Sequence, residues 1–196
     1  PTLIEPWDAR IAPNAVFIAQ SRKEFIKNFL PVFIEVYNEI CGGSEVVSLE
    51  YFSNVSNNED EFMELLKTSQ EDDRRLRRMT CGVHKDDLAF KIGDYPLRKF
   101  GSQGQQKTFL VALKLAQLVF LEKATGVKPI LLLDDIFDKI DDKRVRALMS
   151  RVTDGTFGQI FITDTHLGRI PEMFKSIGVD VRVFEVINGK VNTLEA

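Results

Sequence analysis

Two carboxylates, Asp134 and Asp135, follow four apolar residues, Ile130-Leu131-Leu132-Leu133. A short, wholly apolar run of this kind reads as a central strand buried on both faces. The acids then fall at its C-terminal edge, which is where open α/β sheets bind ligands. One carboxylate there can hold a nucleotide's magnesium, and a second can orient an attacking water. Taken alone, the pattern is only moderately specific.

A second stretch, Phe100-Gly101-Ser102-Gln103-Gly104-Gln105-Gln106-Lys107, immediately precedes a helical pattern. Small residues in such a place let backbone N–H groups approach a phosphate, and the helix dipole favours the anion. Gly101 to Thr108 imitates the phosphate-binding G-x-x-x-x-G-K-[ST] loop but fails as one. Gln106 stands at the second glycine, and no strand leads closely into it. A further alternative reads Asp134-Asp135-Ile136-Phe137-Asp138 as the DDxxD magnesium motif of isoprenoid synthases. That motif lies on a helix and comes with a second acid-rich motif; here the acids follow a strand and no second motif exists.

What Ser102, Gln103, Gly104 and Gln105 resemble is the Ser-x-Gly-Gln signature of ABC-type ATPases. Signature loop, long helix, apolar strand with two acids, and then Asp138-Lys139-Ile140-Asp141 is the order found in ABC-type heads. The last segment resembles the D-loop, which passes between subunits in that family. Gly82-Val83-His84-Lys85-Asp86-Asp87-Leu88, with Ser102-Gln103-Gly104-Gln105-Gln106-Lys107 and Leu131-Leu132-Leu133-Asp134-Asp135, narrows the likeness to the RecF family. Its pattern is G-P-H-[RK]-D-D-L, then S-Q-G-Q-Q-[RK], then L-L-L-D-D. The chain departs only at Val83, where proline is usual.

The resemblance implies an α/β ABC-type head lobe, with a mostly parallel sheet flanked by helices and a C-terminal β-hairpin. Residues 1–43 are expected as the last helices of an arm domain, and residues 44–196 as the C-terminal lobe of the head. It implies magnesium on Asp134, and water positioned by Asp135 where ABC enzymes usually carry glutamate. It also implies that Ser102, Gln103, Gly104 and Gln105, with Asp138 and Asp141, act on ATP held by a second subunit. The implied activity is that of a slow DNA-dependent ATPase in recombinational gap repair. Its partners would be single/double-strand DNA junctions and RecR and RecO, so that RecA can load. No loop of the Walker A type occurs in the chain, so ATP turnover is expected to need an upstream half, an expectation that fits a start at Pro1 without an initiator Met. The switch residue after the strand 159–163 stays open between Asp164, Thr165 and His166. His84 is expected to orient the neighbouring acids or to contact a partner.

The elements that must position these residues are readable from periodicity. Phe25, Phe29, Phe33 and Tyr37 recur every fourth position within a helix over 14–40, which Pro31 is expected to kink or split. Residues 46–55 alternate as a strand, 61–78 have a helical period, and 88–92 with 95–100 read as a hairpin. Helices are expected over 107–123 and 142–152, and a second buried strand over 159–163. A terminal hairpin, 181–186 with 190–194, turns on Asn188-Gly189.

Fifteen Phe against one Trp and three Tyr describe a Phe-rich core and no base-stacking surface. A net charge of −3 excludes a uniformly basic nucleic-acid binder. The stretch from Arg74 to Lys107 is nonetheless locally basic, through Arg74, Arg75, Arg77, Arg78, Lys85, Lys91, Arg98, Lys99 and Lys107. Such a surplus can attract phosphates, or it is a solvated face balanced by Glu71, Asp72 and Asp73. Cys41 and Cys81 are too few for a disulfide framework, and a reducing cytoplasm is the expected home. The longest apolar stretch, 109–121, is too short to span a bilayer. The rival is the head of an SMC-like chromosome organiser or another ABC-type ATPase. An SMC-like head predicts sustained heptads entering it, which residues 1–43 do not show.

Overall fold

A computed structural model describes residues 5–136, 140–166 and 168–194. The chain folds into two compact units. One comprises the described residues up to Pro31 together with Val46–Phe100; the other comprises Val32–Glu45 and the described residues from Gly101 onward. Helix α1 (Glu5–Cys41) contributes to both.

At 37 residues α1 is longer than the periodicity predicts, and it carries Pro13 and Pro31 inside it. Neither proline ends the helix. Proline removes one backbone N–H and crowds the preceding turn, but burial of the surrounding residues outweighs that local cost. Ala12, Ala15, Val16 and Ala19 are buried near Pro13, and Phe29, Phe33, Val36 and Tyr37 near Pro31.

In the first unit, β1 (Val47–Phe52) pairs antiparallel with β2 (Asp87–Ile92), which pairs with the short β3 (Tyr95–Pro96). Residues 97–100, expected as strand, instead form one helical turn, α3 (Leu97–Phe100). Pro96 has no N–H to extend the ladder, which explains the early end. Helix α2 (Glu59–Leu76) begins at the N-cap Asn58, whose side chain accepts from the Asp60 N–H at 2.8 Å. Ala12, Ala15, Val16 and Ala19 from α1 join Phe62 and Leu66 from α2, with Val55 and Cys81, in one core cluster.

In the second unit, α4 (Gln103–Thr125) begins a full turn before the predicted residue 107. Its Phe109 packs on Phe33 and Tyr37 of α1, with ring centroids 4.8 and 5.9 Å apart. Strands β4 (Leu131–Asp134) and β5 (Ile160–Thr163) pair in parallel, with α5 (Asp142–Val152) between them in the chain. This is the βαβ unit that the alternation of elements implies. Helix α6 (Arg169–Ser176), absent from the periodicity reading, precedes the hairpin of β6 (Val183–Ile187) and β7 (Lys190–Leu194). Asn188, in the left-handed region at φ 50°, and Gly189 make that turn as expected.

One expectation is corrected. Strands β4 and β5 are covered on one face only. Leu131 and Leu133 are buried, whereas Leu132 is 71% exposed and its register partner Phe161 is 51% exposed. An apolar run records which residues tolerate burial, and not whether this chain covers both of their faces.

Candidate nucleotide site at the sheet edge

The parallel register pairs Asp134 with Thr163, so the ends of β4 and β5 lie side by side. The Thr163 hydroxyl donates to Asp134 Oδ1, which fixes the carboxylate at the edge. Asp135 follows in the left-handed region, at φ 46°. A non-glycine residue there is held against a local cost of about 1–2 kcal/mol, and such strain clusters at functional sites. Its carbonyl accepts from Lys107 Nζ at 3.0 Å, tying the first turns of α4 to this edge. Past β5, the Asp164 side chain is buried, with 5% of its surface exposed. Its Oδ1 accepts from the His166 N–H at 3.1 Å, while Oδ2 has no partner among the described residues. Of the three switch candidates, Asp164 alone offers a buried, unsatisfied oxygen; Thr165 and His166 are exposed.

The loop before α4 is a closed capping box. Ser102 Oγ accepts from the Gln105 N–H at 3.2 Å, and Gln105 Oε1 accepts from the Ser102 N–H at 2.8 Å. Two of the helix's orphan donors are thereby satisfied reciprocally. The N–H groups of Gln103 and Gly104 take no partner among the described residues, and they form the positive end of a helix of 23 residues. No hydrogen bond or ion pair joins Ser102–Gln105 to Asp134 or Asp135 among the described residues.

Asp138 lies outside the described residues. Asp141 is the N-cap of α5, its Oδ1 accepting from the Arg144 N–H at 3.0 Å and its Oδ2 facing Arg144 Nε at 3.2 Å. Arg144 reaches on to Glu45, which also receives Gln105 and the Tyr37 hydroxyl. Burial would raise the Glu45 carboxyl. The bonds from Tyr37 and Gln105 and the charge of Arg144 outweigh it and hold Glu45 below the usual carboxylate range. Burial, reinforced by the bond to Glu45, drives the Tyr37 phenol well above its ordinary value. Sequence reasoning passed over Glu45 and Arg144 and read Tyr37 only as part of the apolar period of α1; Arg144, three residues after a cap, carried a local signal.

The Gly82–Leu88 segment serves the first unit. Gly82, at φ 120°, donates its N–H to Asn54 Oδ1 at 2.9 Å. His84 donates to the Met79 carbonyl at 3.2 Å and orients neither acid of the motif. Asp86 is buried and receives Arg22 and the Tyr51 hydroxyl, both at 2.5 Å. Burial alone would raise its carboxyl, but hydrogen bonds from Ser53, Tyr51 and Arg22 and the Arg22 charge leave it depressed. A depressed carboxylate stabilises the fold above its unfolded pKa, about 3.9, and that contribution disappears as pH falls through the folded value. Asp86→Asn is therefore expected to destabilise the chain by about 2 kcal/mol at pH 7. The difference should shrink as pH falls below about 4 and through the folded value, as read by urea unfolding of both proteins across that range. A constant difference would mean that the carboxylate charge is not what matters.

The basic stretch 74–107 is partly neutralised. Arg75 pairs with Asp72 and Lys91 with Glu50, at 2.6 Å each. Arg74, Arg77 and Arg78 have no carboxylate partner among the described residues.

The chain shares 42% identity over 194 residues with the DNA replication and repair protein RecF of Parabacteroides distasonis, covering 99% of this chain and 53% of that protein. With RecF of Flavobacterium johnsoniae it shares 47% over 169 residues, covering 86% of the chain and 46% of the relative. Among solved structures, that of the recombination mediator protein RecF-ATP in the RecFOR pathway superposes with a TM-score of 0.78. It shares 27% identity and is matched over 98% of this chain and 50% of that one. The chain belongs to the RecF family. It spans about half the length of the curated RecF relatives it matches. An SMC ATPase structure superposes with a TM-score of 0.57 at 13% identity, over 90% of this chain and 89% of that one, a likeness of fold alone. No protein-family model matches the chain. The RecF and SMC likenesses agree with the α/β head, its parallel strand pair and its terminal antiparallel hairpin.

Proposed function

We propose that this chain is the C-terminal part of a RecF-like ATPase head acting in DNA replication and repair. In this reading it carries the signature loop at Ser102–Gln105, the acidic strand end at Asp134 and Asp135, and the D-loop ending at Asp141. Residues 1–43 are the end of an arm and 44–196 the head lobe. The observation that carries the reading is the pairing within one unit of a capped glycine-containing helix start and two carboxylates at a parallel strand edge. Both stand in the order seen in the RecF likeness. The open apolar pair Leu132 and Phe161 fits a strand face that further sheet elements of the complete protein cover.

ATP would be held chiefly by the rest of the protein, with Asp134 completing a magnesium site. Among the described residues no three His, Cys, Asp or Glu side chains form a metal cage. Magnesium does not require one: it is commonly held by one or two carboxylates plus the substrate's phosphates. The donor set therefore fits a nucleotide-borne ion, which would neutralise developing phosphate charge. Asp135 would align the attacking water. Ser102 and the free N–H groups of Gln103 and Gly104 would meet the γ-phosphate of a partner subunit's ATP, so that two heads close on two nucleotides. Closure would complete a DNA-binding surface, and turnover would release it, in gap repair with RecR and RecO and the loading of RecA. Magnesium, cytoplasmic placement and these partners belong to this proposal.

The chain alone is expected to bind ATP weakly and to show no magnesium-dependent hydrolysis, whereas the full-length protein is expected to bind ATP and hydrolyse it. Phosphate release and nucleotide titration on the two proteins check this. Turnover by the 196-residue chain at the full-length rate would overturn the assignment.

A further inference from the structure

Glu45 lies in the connection between α1 and β1 and belongs to no motif. Its Oε1 accepts from Gln105 Nε2 at 2.9 Å and from Arg144 Nη2 at 2.8 Å, and its Oε2 accepts from the Tyr37 hydroxyl at 2.5 Å. The ion pair is largely buried, with side-chain exposures of 18% for Arg144 and 16% for Glu45. The three donors come from three segments. Tyr37 sits in the last turns of α1, Gln105 is the third residue of α4, and Arg144 is the third residue of α5. Gln105 is also half of the capping box that holds Ser102, and Arg144 is bonded to the cap Asp141.

A buried carboxylate with three donors is directional, because each lost bond strands a polar group away from water. With both oxygens used, Glu45 specifies where Gln105 and Arg144 stand relative to each other. Arg144 Nη1 also lies 3.4 Å from Thr108 Oγ1, a second link between the first turns of α5 and α4.

We propose that Glu45 is a positioning residue of the composite nucleotide site. It locks Gln105, and through the capping box Ser102, to Asp141 through Arg144. The signature loop and the end of the D-loop are thereby presented to a partner subunit as one preset surface. The role rests on the ATPase-head reading above. A surface organised before association avoids an ordering cost on binding, so Glu45 acts on dimer closure and not on ATP binding by a single subunit.

The test uses the full-length protein with Glu45→Gln, Gln105→Ala, the double variant and Tyr37→Phe. Amide hydrogen exchange reads the lock itself, and sedimentation with and without ATP reads closure. For Glu45→Gln, exchange at the Gln105 amide should rise about tenfold, with Leu115 in the middle of α4 unchanged. ATP-driven dimerisation should weaken about tenfold, at a monomer ATP affinity within about twofold of wild type. The double variant should dimerise less poorly than the two single effects added together, because both changes remove the shared Glu45–Gln105 bond. If Glu45→Gln does not fold, Tyr37→Phe keeps the ring and loses one bond. It should move both readouts the same way by about two- to threefold.

Unchanged exchange at Gln105, or a Glu45→Gln effect that adds in full to Gln105→Ala, would overturn the role. So would a Glu45→Gln protein that dimerises as wild type does. Wild-type protein that fails to dimerise with ATP would instead overturn the head reading, and the role with it.

Discussion

In the full-length protein, Ser102→Arg is expected to abolish ATP-driven dimerisation, weakening it at least about a hundredfold, while ATP binding by the monomer stays nearly intact. Ser102 heads α4 with its small hydroxyl in the capping box. In the proposed reading, an arginine there introduces a long cation where a close phosphate contact would form across two subunits. It also removes the cap, at a cost of about 1 kcal/mol. Ser102→Asn separates the two effects. Asparagine caps a helix as well as serine, so this variant should keep the stability of α4 and still weaken closure. Mixing Ser102→Arg with a variant disabled in the phosphate-binding loop sharpens the test. In the heterodimer both lesions can fall on one composite site, leaving the other whole, and partial activity should return. A loop that serves its own subunit predicts no rescue. It also predicts that Ser102→Arg lowers ATP affinity of the monomer directly, and that result would place the loop on the wrong side of the interface.

Asp135→Asn is expected to trap an ATP-bound dimer, with hydrolysis slowed about a hundredfold or more. The substitution is unusually clean because Asp135 sits at φ 46°. Asparagine tolerates the left-handed region, so the charge is removed without new backbone strain, which alanine would add. Asp134→Asn should act earlier, impairing magnesium-dependent use of ATP. Its amide oxygen can still accept from the Thr163 hydroxyl, so the strand edge should keep its shape. Sedimentation with ATP, together with phosphate release, distinguishes the two variants. Normal hydrolysis by Asp135→Asn would move the water-positioning role elsewhere, with Asp164 next in line because its buried Oδ2 lacks a partner among the described residues.

The features legible from the sequence were those made by residues close in the chain. The terminal turn depends on the neighbouring residues Asn188 and Gly189. The acids at the end of β4 were placed by the apolar run before them. In each case the interaction spans at most a few residues, so local spacing carries it. The same reasoning misplaced the start of α4 by a turn. Helical period is strongest where side chains are buried, and the first turn of α4 is set by capping. Pro31 does not split the helix, one of the two outcomes expected of it, since packing around Phe29 and Phe33 outweighs a local helix breaker.

The sequence by itself determined the RecF likeness, the order of the Ser-x-Gly-Gln stretch and the acidic strand end, and the alternation of strand and helix in the second unit. Only the tertiary structure decided what those motifs lean on. Glu45 and Arg144 are 99 positions apart, Glu45 and Gln105 are 60 apart, and Arg22 and Asp86 are 64 apart. No spacing rule links residues so distant, because their meeting depends on how whole helices pack. Burial is decided the same way: Leu131 and Leu132 are the same residue type in one strand, yet the first is 4% exposed and the second 71%. Alternation along a strand sends neighbouring side chains to opposite faces, and what covers each face is a property of the folded chain.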